Sequence, residues 1–172
     1  ANWNSDGITV HINNGDGSLS PQVTYGTGYR PVDVAIGDLD NDGDPDLAVA
    51  NSGQGSVTDP GNITVHLNSG NGIFDEDEAA ISYPAGQLPY SISLGDLDQD
   101  GDLDMATASS NDDSAAVKLN RGNASFAGAA HHGDSERTRT VEMGDLDGDG
   151  DLDLAVTSEG ASELIILLSE CL

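Results

Sequence analysis

Asp38-Leu39-Asp40-Asn41-Asp42-Gly43-Asp44-Pro45-Asp46 packs five carboxylates into nine residues, and the chain writes this pattern three times. The second copy is Asp96-Leu97-Asp98-Gln99-Asp100-Gly101-Asp102-Leu103-Asp104, and the third is Asp145-Leu146-Asp147-Gly148-Asp149-Gly150-Asp151-Leu152-Asp153. Each obeys Asp-x-Asp-x-Asp-Gly-x-x-Asp. Like charges a few ångströms apart repel strongly, so these acids need a counter-charge. A hard divalent cation with oxygen ligands supplies one, and calcium tolerates the irregular geometry of a peptide loop best. The glycine at the sixth place lets the chain bend where a Cβ would be penalised. A solvated acidic turn has no reason to repeat this spacing three times.

Alternating apolar strands flank every loop. Strand a precedes it (Val32–Gly37, Ser91–Gly95, Thr140–Gly144), and strand b follows it (Leu47–Asn51, Met105–Ser109, Leu154–Ser158). One face of strand b carries only small side chains: Ala48 and Ala50, Ala106 and Ala108, Ala155 and Thr157. Small faces let a neighbouring sheet come close. A strand c recurs four times (Ile8–Ile12, Ile63–Leu67, Ala116–Leu119, Leu164–Leu168). After the first three, a turn-rich stretch leads to Leu19, Phe74 or Phe126 and opens a strand d.

The chain therefore reads c-d-a-b three times plus one extra c, with repeats near 8–62, 63–114 and 115–160 and a last strand at 164–169. Residues 1–172 read as one repeat domain. The apolar period of two excludes a helical solenoid. Four-stranded units with two apolar faces must stack to bury them, which is the requirement met by propeller blades. The expected fold is all-β, with β-propeller blades of four antiparallel strands, three repeats plus one strand. Such a set is either a partial propeller or half of an oligomeric ring.

The motif apolar-Gly-Asp-x-Asp-x-Asp-Gly-x-x-Asp, followed by an alternating strand and a glycine-rich turn, resembles the FG-GAP/VCBS repeat. That repeat builds the β-propeller of integrin alpha subunits and of many secreted proteins. The third turn departs from it, with Ala124 where glycine is expected. The resemblance implies side-chain ligands at loop positions one, three, five and nine and a backbone carbonyl at position seven. Three calcium sites follow: Asp38, Asp40, Asp42 and Asp46 with the carbonyl of Asp44; Asp96, Asp98, Asp100 and Asp104 with that of Asp102; Asp145, Asp147, Asp149 and Asp153 with that of Asp151. An EF-hand is excluded because position twelve is Val49, Thr107 or Val156, not an acid, and no flanking helices are read. A dockerin fails the same helical requirement. The expected role of the metal is structural, since binding free energy at such a loop becomes folding free energy.

Composition narrows the partners. The formal net charge is −26, and fifteen of the 31 acids lie in the loops, leaving sixteen against five Lys+Arg. An acidic surface disfavours nucleic acid and anionic membranes, and a high-salt habitat would add to the same bias. The aromatic share of 4% leaves a core of Val, Ile, Leu and Ala. Cys171 is the one cysteine, so no intrachain disulfide forms. No signal peptide and no bilayer-spanning run is read, and Ala1 reads as a mature or trimmed start. Calcium-filled loops point to an extracellular, cell-surface or periplasmic location.

Elaboration is uneven. Asp38 to Asp96 spans 58 residues and Asp96 to Asp145 spans 49. The excess is assigned to Ser52–Gly61 and Asp75–Gln87, both expected on the end opposite the calcium loops, where recognition would sit. Weaker signals are His11, His66 and Lys118 at one repeated place, His131-His132 beside Asp134, the pair Arg137 and Arg139, and Trp3, Tyr25, Tyr29, Tyr83 and Tyr90. Asn62-Ile63-Thr64 and Asn123-Ala124-Ser125 match the glycosylation sequon. No catalytic set is visible. The leading expectation is a non-enzymatic, calcium-stabilised scaffold for adhesion or recognition of a protein or glycan, with a homodimer as one way to complete a ring. A carbohydrate-binding lectin and a part of a polysaccharide-degrading enzyme are the alternatives.

Overall fold

The computed structural model describes residues 1–54, 56, 58–74, 80–132 and 136–169. Every element in it is a strand. A hairpin of β1 (Gly7–Val10) and β2 (Val23–Gly26) comes first. The first complete sheet follows, in the order β3 (Pro31–Gly37), β4 (Asp46–Asn51), β5 (Asn62–His66) and β6 (Ile81–Pro84). The second repeats that order with β7 (Pro89–Gly95), β8 (Asp104–Ser109), β9 (Ser114–Lys118) and β10 (Ala130–His132). The third holds β11 (Thr138–Gly144), β12 (Asp153–Ser158) and β13 (Glu163–Leu167). All pairings are antiparallel between neighbours in sequence.

The fold is all-β with four-stranded blades that do not close into a ring, a partial propeller. Its sheets run a-b-c-d, so they are cut at a different phase from the c-d-a-b repeats of the sequence. The inner strands β3, β7 and β11 touch one another directly. No helix among the described residues is long and apolar enough to cross a membrane.

Stacking has a direction. Residues paired across antiparallel strands share a face, so Leu47 and Val49 lie on one side of the first blade and Ala48 and Ala50 on the other. Leu47 and Val49 pack with Ile8, Tyr25 and Phe74 from the hairpin side. Ala48 and Ala50 receive Ile92, Leu94 and Met105 of the second blade. Ala106 and Ala108 of that blade in turn receive Val141, Leu154 and Val156 of the third. Each blade thus sets large side chains on the small face of the one before it. The terminal faces stay partly open: Ile36 is 67% exposed on the large face of the first blade, and Leu164 is 62% exposed on the small face of the third.

The aromatic residue after strand c completes these seams. Phe74 meets Tyr25 edge-on at 5.3 Å, and Phe126 meets Tyr83 likewise at 5.2 Å. Ala124, in the turn before Phe126, holds φ at 55°, matching the left-handed conformation of Gly72 at 70°.

The extra length is only partly where the sequence places it. Ten residues join β4 to β5 (52–61) against four between β8 and β9 (110–113), so the six-residue excess does lie on the end away from the acidic loops. The other three-residue excess is corrected: it falls between Phe74 and β6, on the way into strand d, and β6 occupies the middle of Asp75–Gln87. Gly55, Val57, Asp75–Ala79, Asp134 and Cys171 lie outside the described residues.

Met105 is fully buried at the seam between the first two blades, and Ala106 is fully buried at the next. Met105→Ala should lower the unfolding free energy by about 2–5 kcal/mol through the cavity it leaves. Ala106→Leu should cost about 1–3 kcal/mol by forcing the third blade away. Urea unfolding followed by tryptophan-independent circular dichroism checks both; unchanged midpoints would mean that the blades do not depend on this packing.

Candidate metal centre

Each acidic loop leaves an inner strand and returns as strand b. Two left-handed residues wind it: position six (Gly43, Gly101, Gly150, φ 95–100°) and position four (Asn41, Gln99 and Gly148, φ 63°, 61° and 85°). A side chain at position six would meet no atom, so glycine is required there by φ and not by space. The winding turns backbone N–H groups toward the acids. Position one accepts from the N–H of position six at 3.0 Å in the first loop, 3.1 Å in the second and 3.2 Å in the third. Position five accepts from the N–H of position seven at 2.9 Å in all three.

The position-nine acid has a different job. Asp46, Asp104 and Asp153 are buried. One oxygen of each takes the N–H of the loop leucine, Leu39, Leu97 or Leu146, at 2.8–2.9 Å. The other takes an N–H just beyond strand c, from Asn68, Asn120 or Ser169, at 2.8–2.9 Å. One carboxylate therefore ties the start of the loop, its end and the third strand of the same sheet.

Carboxylate oxygens converge within 4.8 Å of one another in each loop: Asp38, Asp40 and Asp42; Asp96, Asp98 and Asp104; Asp145, Asp147 and Asp153. Asp46, Asp100 and Asp149, also expected as side-chain ligands, are outside these groupings. Burial pushes the Asp46 and Asp104 carboxyls above the ordinary range, backbone donors pull the other way, and loop acids add to the rise. Asp98 and Asp147 are raised by desolvation as well, with neighbouring aspartates contributing. Asp38 Oδ1 is buried with no hydrogen-bond partner. An unsatisfied carboxylate oxygen is costly, and a cation at the centre of the loop would satisfy it. The donors are all hard oxygens, which suits calcium and not a soft metal.

The position-seven acids of the second and third loops, Asp102 and Asp151, face the preceding loop. Asn41 Nδ2 donates to Asp102 Oδ1 at 2.6 Å, and Gln99 Nε2 donates to Asp151 Oδ1. Both bonds run from position four of one loop to position seven of the next. Loops also interlock by packing: the position-eight side chains Leu103 and Leu152 lie where a Cβ on Gly37 or Gly95 would come within 2.6–2.7 Å. Sequence reasoning passed over position four. The signal was present as an amide side chain at the same place in the first two loops.

The weaker signals separate. His66 and Lys118 are buried, while His11 is exposed and its Nδ1–H donates to the Ser20 carbonyl at 3.1 Å. His131 and His132 are exposed on β10, with His131 Nδ1 at 3.2 Å from Ser114 Oγ. Arg139 pairs with Glu159 at 2.5 Å and stacks over Tyr90 at 4.1 Å. Arg137 precedes β11 in a left-handed turn. Trp3 and Tyr29 are exposed, and Arg30 lies 5.2 Å from both rings. Asn62 is bonded to Ser82 within the first blade.

The model of the FG-GAP-like repeat matches residues 1–49, 55–107 and 97–156. The chain belongs to the FG-GAP-like repeat family. Each matched stretch ends at the same place in strand b: Val49, Thr107 or Val156. Among solved structures, a Photorhabdus luminescens Tc holotoxin pore with a mutated TccC3 is similar over 93% of this chain and 8% of that one, at 20% identity and a TM-score of 0.50. That likeness concerns the fold, and this FG-GAP-like chain spans a small part of the length of its structural relative.

His66 provides a pH readout outside the acidic loops themselves. Burial pushes its imidazole below the ordinary value of 6.5, and its Nε2 has no partner. A depressed folded value means that the neutral ring contributes its full stability above about 6.5 and loses it as pH falls toward the folded value. The unfolding free energy of the wild type should therefore drop faster than that of His66→Leu between about pH 7 and pH 5. Parallel pH profiles for the two proteins would remove this role.

Proposed function

We propose that the chain is a non-enzymatic, calcium-stabilised propeller scaffold that works outside the cell or in the periplasm, where calcium is abundant enough to fill such loops. The observation that carries this reading is the repeated convergence of carboxylates within 4.8 Å in three loops, joined by the unpartnered Asp38 Oδ1. Asp38, Asp40 and Asp42, Asp96, Asp98 and Asp104, and Asp145, Asp147 and Asp153 would hold the ions. Membership of the FG-GAP-like family, whose repeats often bind calcium, supports the same assignment. Bound calcium would supply positive charge and ligand sites for oxygens that otherwise repel one another. The chain's own backbone donors hold the carboxylates in place for it.

A free calcium concentration about 100 times the dissociation constant would add roughly 2.7 kcal/mol per site. Thermal unfolding in millimolar calcium and in excess chelator measures this directly. The melting temperature should fall in chelator, and Asp98→Asn should shrink the difference. Asp104→Ala should destabilise under both conditions, because it also strips the acceptor from two backbone N–H groups. Equal melting temperatures with and without calcium would overturn the structural role of the ion.

Recognition of a protein or glycan is assigned to the end opposite the loops, where the ten-residue β4–β5 connection and the exposed Trp3 and Tyr29 lie. Assembly is part of this reading. The exposed inner-strand part of the first blade's large face, at Ile36 beside the β1–β2 hairpin, and the open small face of the third would join head to tail, the kind of contact that closes rings. A further stretch of propeller or a second copy of the chain satisfies it equally. β13 already covers the edge of β12, so among the described residues the third sheet holds strands a, b and c. Sedimentation in calcium distinguishes the two: a dimer that dissociates when Ile36→Asp is introduced supports self-assembly, and a monomer at high concentration rules it out.

A further inference from the structure

We propose that the loops do not bind calcium independently, because the side chain at position four of the first and second loops positions the loop that follows. This inference rests on the calcium reading above. Position four lies between two carboxylates of its own loop, so filling that loop fixes its backbone. From there Asn41 reaches across the seam to Asp102 Oδ1 at 2.6 Å and to the carbonyl of Gly122 at 3.3 Å. Gln99 makes the corresponding contact with Asp151. The acceptors sit at position seven, where the backbone carbonyl is the expected ligand and the carboxylate is left for another partner. Each bridge therefore connects a residue held by one ion to a residue whose main chain would hold the next. Hydrogen bonds to a charged acceptor are the stronger kind.

Two independent features argue that the bridges are built and not incidental. Position four has a left-handed φ, which glycine adopts freely, asparagine tolerates and glutamine adopts at a steric cost. Glycine would relieve it, and the third loop does use Gly148. The first two loops keep an amide side chain there, and in both cases the next loop supplies its acceptor. The second feature is clearance. A Cβ at Gly122 would come 2.7 Å from Asp102 Oδ2 and 3.2 Å from Asn41 Nδ2, so the c-d turn of the second blade leaves room for this bond. The bridges link the first loop to the second and the second to the third, and because coupling of binding free energies is reciprocal, filling either loop of a pair favours the other. The series stops at Gly148, which has no side chain to extend it further.

Coupling between sites arises when occupation of one lowers the ordering cost of the other. Calcium at the first loop should tighten the second by roughly 5-fold, the low end of coupled sites. The amide protons of Gly43, Gly101 and Gly150 report the three loops separately in a calcium titration followed by nitrogen–proton NMR. In the wild type the Gly43 and Gly101 signals should move together. In Asn41→Gly, which keeps the favoured φ, they should separate while Gly101 and Gly150 remain coupled. Gln99→Gly should give the reverse. Asp102→Ala breaks the first bridge from its acceptor side and should reproduce Asn41→Gly. Calcium shifts whose relative midpoints are the same in all four proteins would overturn the coupling and leave the calcium reading standing. A lack of any calcium shift would overturn both.

Discussion

One buried carboxylate per blade organises the rest of this protein. Asp46, Asp104 and Asp153 each accept backbone N–H bonds from the start of a loop and from the chain just beyond strand c. A carboxylate taken out of water is unfavourable unless its oxygens are satisfied. These are satisfied only when strands a, b and c lie in register, so the acid makes the sheet's register a condition of its own burial. The remaining acids of the loop then stand around a point already fixed by the β-structure. The loop is a consequence of the sheet, and a cation would complete what the backbone donors begin.

Between blades the controlling factor is side-chain size. Alanine faces receive methionine, leucine, isoleucine and valine from the next sheet, and the interior has few aromatic residues to fill space by themselves. Close approach follows, and the loops inherit it. Gly37 and Gly95 lie under Leu103 and Leu152 at distances that exclude a Cβ, so the acidic ends of adjacent blades are packed against one another as well as hydrogen-bonded. Packing and polar contacts thus work at the same seam. In such one-dimensional stacks, stability is approximately a sum of unit and nearest-neighbour contributions.

Much of this was legible in the sequence. Strand identity followed from period-two alternation around a loop that occurs three times, and the small face of strand b foretold the side on which the next blade lands. In all three loops the acids at positions one and three fall within one group of converging carboxylates. Other features escaped because they depend on contacts between repeats. Nothing in a single copy shows that Asp102 faces Asn41, or that position nine satisfies two backbone groups before any metal is considered. The three-residue excess was assigned to the wrong side of strand d because β6 is short and follows a stretch without alternation. The place shared by His11, His66 and Lys118 reads from sequence as either surface or interblade; His66 and Lys118 are buried, and His11 is exposed. Ala124 broke the glycine pattern, but the backbone kept the glycine conformation and bonded to Leu39 across the seam.

The offset between repeat and sheet has a consequence for how such a chain can change length. A c-d-a-b unit ends one sheet and begins the next, so every unit is stitched covalently into two neighbours. Removing one unit in phase joins the a-b pair of one sheet to the c-d pair of another, and the splice restores a whole sheet with no orphan strand. Inserting a unit works the same way. Genetic expansion or contraction of the array therefore preserves hydrogen bonding at every step, which makes blade number the most freely variable property of this architecture.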